Sequence, residues 1–232
     1  MTPIFIISFN RYTMLKRLID RLLEMGQERI IIIDNGSTYD PLIQYYREIE
    51  KNFEILRISE NYGHDVMKKL FADPIIIEKY QLNLNNFIYT DCDVIPADEC
   101  PKDFIQKFNE ILRKYQIVKV GFSLHIDDLP DSFEAKQGLI RWESQFWKDK
   151  IHDQDIDIDL YPAAIDTTFA CQRANEKSVW TNASFRTGPP YIAHHLPWYI
   201  DSNNLSEEDH NYIRTAGEFE THFPGRYKKE PD

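Results

Sequence analysis

The stretch NNFIYTDCDVIP, residues 85–96, decides how this chain is read. A run of bulky apolar residues ends abruptly in two carboxylates, Asp91 and Asp93, with one small residue between them. The apolar part, FIYTD, has the length and the β-branched and aromatic content of a buried strand. Carboxylates at the end of such a strand are costly unless a metal ion, a basic partner or water meets them.

Upstream, short β-rich runs alternate with helical patterns. PIFIIS reads as a first strand, and RYTMLKRLIDRLLEMG places Leu15, Leu18, Ile19, Leu22 and Leu23 at helical spacing, with Gly26 set to end the helix. RIIIID reads as a second strand, followed by the turn NGSTYDP and a helix over LIQYYREIEKN. FEILRIS is a third strand, and the turn ENYG leads through a helical or irregular segment to FIYTD. This βαβαβαβ order predicts a mostly parallel sheet with helices on both faces and a ligand crevice outside the carboxyl ends of its strands.

Downstream of Pro101 the alternation is lost. The sequence predicts a helix over KDFIQKFNEILRKY, a strand over IVKVGFSL, a long aromatic segment GLIRWESQFW and a strand over AAIDTTFACQR. TGPPYIAHHLPWYID reads as a Pro-rich loop, LSEEDHNYIRTAG as a short capped helix, and GRYKKEPD as the end of a polar tail.

The 232 residues carry a formal charge of −11, which argues against nucleic-acid and anionic-membrane binding, since both lean on clustered Lys and Arg. The apolar runs fall far short of the roughly 20 residues that span a bilayer. No basic-then-apolar leader opens the sequence. A soluble cytoplasmic protein without a membrane span is expected, compatible with peripheral association. Cys92, Cys100 and Cys171 form no CxxC pair, so reduced thiols are expected rather than disulfides or zinc.

Four predicted strand ends carry polar residues: Asn10 and Arg11, Asp34 to Thr38, Asn61 to Gly63, and Asp91 with Asp93. A parallel sheet lines them along one edge. Asn, Asp, Gly and Ser populate any one turn for local backbone reasons, an explanation that the joint pattern of four turns weakens. Asp-x-Asp alone is weak, because HDQDIDIDLYP contains it repeatedly at Asp153, Asp155, Asp157 and Asp159. That run alternates acid with Ile, as a solvated surface does. Asp91 and Asp93 instead end an apolar strand, where two hard oxygen ligands suit Mg²⁺ or Mn²⁺.

In this order, PIFIISFNR, IIIIDNGSTYDP, NYG and YTDCDVIP resemble the nucleotide-sugar-binding half of GT-A-fold glycosyltransferases, especially glycosyltransferase family 2. The resemblance covers about the first hundred residues. It implies an α/β GT-A-type single domain over 1–232: a Rossmann-like, mostly parallel central sheet with helices on both faces and a small antiparallel acceptor-side portion. The donor half would span about 1–100, and the acceptor half with the C-terminal loop and tail about 101–232. It also implies a metal-dependent glycosyltransferase that moves a sugar from a nucleoside-diphosphate sugar, a UDP-sugar first among them, to a glycan, lipid-linked glycan or other hydroxyl acceptor. By the same resemblance Asp34 contacts the base, Asp91 leans toward the ribose, and Asp93, with Asp91, holds Mn²⁺ or Mg²⁺. Asn10, Arg11 and Asn61 lie near the nucleotide.

The second half lacks the common family 2 pattern of Glu-Asp followed by an Arg-rich helix. AAIDTTFACQR resembles the acceptor-side strand of GT-A enzymes, which makes Asp166 at its mouth the preferred general base and Glu143, in WESQFW, its competitor; a strand-end cap or a bridge from Asp166 to Arg173 or Arg186 is the bland reading. Several GT-A enzymes use a histidine from a late loop at the metal or diphosphate, and by that resemblance YIAHHLPWY offers His194 and His195, of which His195 is the candidate metal ligand; a packed, hydrogen-bonded core histidine is the bland reading. Trp142, Trp147, Trp180 and Trp198 are candidates for stacking on an acceptor, though aromatic residues are mostly core. The alternatives are a catalytically silent carbohydrate- or nucleotide-binding module and a sugar nucleotidyltransferase. SFNRYTML lacks the Gly-rich, basic loop expected of the latter.

Overall fold

The computed structural model of the chain describes residues 2–165, 168–175 and 183–217. Chain order begins β1 (Ile4–Ser8), α1 (Tyr12–Glu24), β2 (Ile30–Asn35), α2 (Asp40–Ile49), β3 (Glu54–Ile58), α3 (Val66–Ala72), α4 (Pro74–Tyr80) and β4 (Phe87–Asp91). These strands run parallel in the order β3-β2-β1-β4, as their apolar runs predicted. Strands buried on both faces read as continuous apolar runs, and IFIIS and IIIIDN are buried throughout.

The period-two alternation of a strand divides these runs between two cores. Ile4, Ile6, Ile30, Ile32 and Ile88 meet Leu15, Leu18, Ile19 and Leu22 of α1 and Leu42, Tyr45 and Tyr46 of α2. Phe5, Ile7, Ile31, Ile33, Phe87 and Tyr89 meet Val66, Met67, Leu70 and Phe71 of α3 and Tyr80 of α4 on the other side. Helices therefore cover both faces. α1 stops where Gly26 takes φ +76°, with its N–H donating to the Leu23 carbonyl at 2.9 Å.

The second half adds β5 (Val94–Pro96), α5 (Phe104–Tyr115), β6 (Lys119–Leu124), α6 (Lys136–Glu143), β7 (Ile151–Asp153), β8 (Ile158–Pro162), β9 (Ala170–Gln172), β10 (Ser184–His195) and α7 (Glu207–Ala216). The sheet continues β4-β9-β6-β10-β8-β7, with β5 also paired to β10. β6 and β10 are parallel, whereas β9, β8 and β5 run against their neighbours. The result is a mixed α/β fold with a mostly parallel central sheet, in which the antiparallel β9 sits between β4 and β6 and further antiparallel pairing lies toward β8 and β7.

Three segments differ from the sequence expectation. Residues 187–201, expected as a Pro-rich loop, supply most of β10 and a 3₁₀ turn, Leu196–Tyr199. The prolines fit because the register against β6 slips between Thr187 and Ile192, and a bulge tolerates residues that cannot donate to the ladder. GLIRWESQFW forms the end of α6 and a 3₁₀ turn, Ser144–Trp147. The acidic run at 153–159 is a β7–β8 hairpin with an exposed turn but not a wholly solvated surface. Asp153 is buried, where it accepts from Lys114 Nζ at 2.7 Å and from the Tyr115 hydroxyl at 2.5 Å. Ile158 and Leu160 of the same run turn inward to the core, carrying the hairpin with them.

The expected strand AAIDTTFACQR is shorter than the sequence suggests, with β9 confined to Ala170–Gln172. Asp166, Trp180 and the tail GRYKKEPD lie outside the described residues. Among the described residues all three cysteines are buried and free, and no helix is long and apolar enough to cross a membrane.

Candidate active site

The parallel register brings the strand-end motifs together. Ser8 and Ile7 at the end of β1 pair with Asp34 on one side and Asp91 on the other, so the two acids flank the same strand end. Next to Asp34, Asn35 pairs with Ile58 of β3. Its amide donates to Asn61 Oδ1 at 3.0 Å, and its own oxygen accepts the Tyr62 N–H at 3.1 Å. Asn61 also accepts the Gly63 N–H, so its side chain organises the β3 loop.

Gly36 makes this junction possible. It takes φ +81°, and a Cβ there would lie 2.7 Å from the Glu60 carbonyl carbon. Gly36→Ala is expected to destabilise the fold by about 3 kcal/mol, from left-handed backbone strain plus overpacking against backbone that cannot swing aside. Urea unfolding checks this, and an unchanged midpoint would contradict it.

Asp34 is 4% exposed and accepts the Ser37 N–H at 2.9 Å. Burial raises its pKa above the ordinary carboxylate value, partly opposed by its bonds to Ser37 and by Arg57. A folded-state pKa above the unfolded one means that the native state holds the proton more tightly. Stability is then highest below the unfolded pKa, falls as pH rises to the folded pKa and stays lower beyond it. Asp34→Asn is expected to raise the melting temperature at pH 7 relative to wild type, with the advantage shrinking as pH falls through that window. Thermal melts at several pH values read both the sign and the trend.

Asn10 and Arg11 sit on the same edge, but their side chains serve internal contacts. Asn10, at φ 49°, accepts the Thr38 and Tyr39 N–H groups at 2.7 and 2.9 Å and donates to Thr215 Oγ1 at 2.8 Å. Arg11 is 1% exposed, donates to Asp209 Oδ1 at 2.7 Å and lies 3.8 Å from the Tyr212 ring centre. Glu208 accepts the Thr13 N–H at 2.9 Å. Thr215, Asp209, Tyr212 and Glu208 all belong to α7, which is seated across the end of β1 and the start of α1. Ser206 and Asp209 form its capping box, so Asp209 both caps the helix and docks it. Burial first, and then the Asp93 carboxylate, push the Tyr212 hydroxyl upward in pKa.

β5 and β10 complete the site. Their antiparallel pairing sets His195 opposite Val94, and the Leu196 N–H donates to the Asp93 carbonyl at 2.8 Å. His195 Nε2 then lies 3.6 Å from Asp93 Oδ1, with both side chains under a tenth exposed and the imidazole against Trp198. Asp93 Oδ1 is buried without a hydrogen bond among the described residues. An uncompensated buried carboxylate oxygen facing an imidazole nitrogen is the donor set that a divalent cation would satisfy.

The competing bases separate. Glu143 is 3% exposed, with Oε1 2.5 Å from Arg186 Nη1 of β10, and that guanidinium packs over Phe146. Asp166 lies outside the described residues, but the carbonyl of the preceding Ile165 accepts from the buried Lys119 Nζ at 3.1 Å. Of the tryptophans described, Trp142 is exposed, Trp147 packs on Tyr161 and Trp198 is buried against His195. Sequence reasoning missed the seat of α7. Its capping box was legible, but nothing local shows where a capped helix docks.

Comparison with known proteins adds a family match. No curated protein sequence matches the chain. Solved structures with partial likeness include a cytidylyltransferase from Leptospira borgpetersenii serovar Hardjo-bovis, 14% identical over 57% of this chain and 56% of that one, at TM-score 0.36. Glucosyl-3-phosphoglycerate synthase from Mycobacterium tuberculosis with UDP is 13% identical over 75% of this chain and 57% of that one, at TM-score 0.36. The same enzyme with Mn²⁺, UDP-glucose and glycerol 3-phosphate gives 13%, the same coverages and TM-score 0.37. The aligned regions thus span little more than half the length of those structures. Residues 4–66 match the model of Glycosyl transferase family 2, and over that segment, from β1 to the first residue of α3, the resemblance carried by the strand-end motifs is to that family.

Proposed function

We propose that the chain is a metal-dependent glycosyltransferase that transfers a sugar from a nucleoside-diphosphate sugar, a UDP-sugar foremost, to a hydroxyl acceptor such as a glycan or lipid-linked glycan. The observation that carries this reading is the buried, unsatisfied Asp93 Oδ1 facing His195 Nε2 just past the carboxyl end of β4, in a chain whose residues 4–66 match family 2.

Asp93 and His195 would hold Mn²⁺ or Mg²⁺, with Asp91 beside them on the ribose side and Asp34 on the base side of a bound donor. Bound there, the ion supplies Lewis-acid stabilisation of the charge that builds on the departing diphosphate. In an inverting transfer the bond from the sugar's anomeric carbon to the diphosphate oxygen breaks while the acceptor oxygen bonds to that carbon. The acceptor proton passes to a carboxylate. Asp166 is the preferred base, because Glu143 is engaged by Arg186. Asn10 and Asn61 shape the loops around the nucleotide instead of spending their side chains on it. Trp142 is the tryptophan exposed enough to stack on an acceptor sugar.

One observation favours a binding module without catalysis: α7 occupies the β1 end and takes up the Asn10 and Arg11 side chains. Incubating the full chain with UDP-sugars and Mn²⁺ separates the two readings. A transferase releases UDP by transfer or slow hydrolysis. A chain that binds the donor and never consumes it, across a panel of sugars and acceptors, is a module.

A further inference from the structure

A second cluster of metal-ligating side chains stands apart from Asp93 and His195. Successive residues of a strand point to opposite faces, so His194 turns away from the pair that holds His195. His194 faces His125, just past the end of β6, with ring centres 5.2 Å apart. Asp128 completes the group, and one ligand atom from each of the three lies within 4.8 Å of the others.

The bonding around the cluster is incomplete. His125 Nδ1 is buried and makes no hydrogen bond among the described residues; Asp128 Oδ1 approaches it at 3.4 Å without bonding geometry. The Tyr199 hydroxyl donates to Asp128 Oδ1 at 2.6 Å and lies 2.8 Å from His194 Nδ1. A group that orients both a carboxylate and an imidazole is the kind of outer partner that fixes metal ligands. The backbone also holds the histidines in place, since the His125 N–H donates to the Ala193 carbonyl at 2.8 Å.

We infer that His125, Asp128 and His194 form a second metal site that takes a zinc-class divalent ion, separate from the Asp93–His195 position. Two imidazoles and one carboxylate match zinc, and they match magnesium poorly, because magnesium prefers an all-oxygen octahedron. Asp128 is about half exposed, so the coordination left open faces solvent and takes water or another oxygen ligand. The ion ties the segment after β6 to the end of β10 and its 3₁₀ turn. The inference is independent of the glycosyltransferase reading.

The test is calorimetric titration of Zn²⁺ alone into the full chain carrying Asp93→Asn, which removes the other position. One site is expected to remain, and excess Mg²⁺ does not displace it. Adding His125→Ala or Asp128→Asn weakens that site at least roughly tenfold, and Tyr199→Phe weakens it by about tenfold through lost ligand orientation. Circular dichroism establishes that each variant is folded. Asp128 is exposed enough for its substitution to leave the core intact. Absence of Zn²⁺ binding in folded Asp93→Asn protein overturns the inference. So does binding that both His125→Ala and Asp128→Asn leave unchanged.

Discussion

Glu143→Ala is expected to destabilise the protein by about 3–5 kcal/mol, because it removes one half of a buried ion pair. Glu143 and Arg186 are each only a few per cent exposed, and Arg186 also donates to the Ala164 carbonyl, so the pair joins α6, β10 and the segment after β8. The result separates two roles that the sequence left open. A structural Glu143 lowers the melting temperature, while the folded fraction at low temperature keeps most of its turnover. A catalytic base would show the opposite, with near-normal stability and a collapse of kcat. Glu143→Gln sharpens the distinction, since it keeps the shape and one hydrogen-bond acceptor.

Asp93→Asn is expected to lower metal-dependent turnover by at least about 100-fold, with stability unchanged or improved. Several kcal/mol of charge stabilisation by the ion are at stake, and each ~1.4 kcal/mol is a factor of ten. The stability half follows from the buried, unsatisfied oxygen: a neutral amide removes a desolvated charge from the strand end. A site that costs stability and is needed for turnover is built for a ligand. Turnover equal to wild type in folded Asp93→Asn would remove the metal from the reaction.

Much of the fold is legible in the sequence where the signal is local. β1, β2 and β4 declare themselves as apolar runs of strand length, and α1 by helical spacing up to Gly26. The edge of polar strand ends then follows from parallel order, which brings Asp34 and Asp91 to either side of β1. His195 is a candidate by resemblance, and the β5–β10 pairing sets its Nε2 3.6 Å from Asp93 Oδ1.

What stayed hidden depends on distant partners. Pro189 and Pro190 are local turn signals, yet a bulge against β6 admits them to a strand. Asp153 looks like its exposed neighbours Asp155 and Asp157, and only Lys114 and Tyr115 of α5 make it an interior residue. The resemblance places Asn10 and Arg11 near the nucleotide, and nothing in the sequence shows what else their side chains meet. Their partners Thr215 and Asp209 lie at the other end of the chain, where no spacing rule reaches. The family match ends at residue 66, short of Asp91, Asp93 and His195.

The most direct test of the account is calorimetric titration of UDP into the full chain, with and without Mn²⁺, repeated on Asp93→Asn. GDP, dTDP and CMP serve as comparisons. The account predicts binding of one nucleoside diphosphate, UDP foremost, that requires Mn²⁺ and is lost in the variant. Absence of nucleotide binding in folded wild-type protein, with or without the metal, would contradict it.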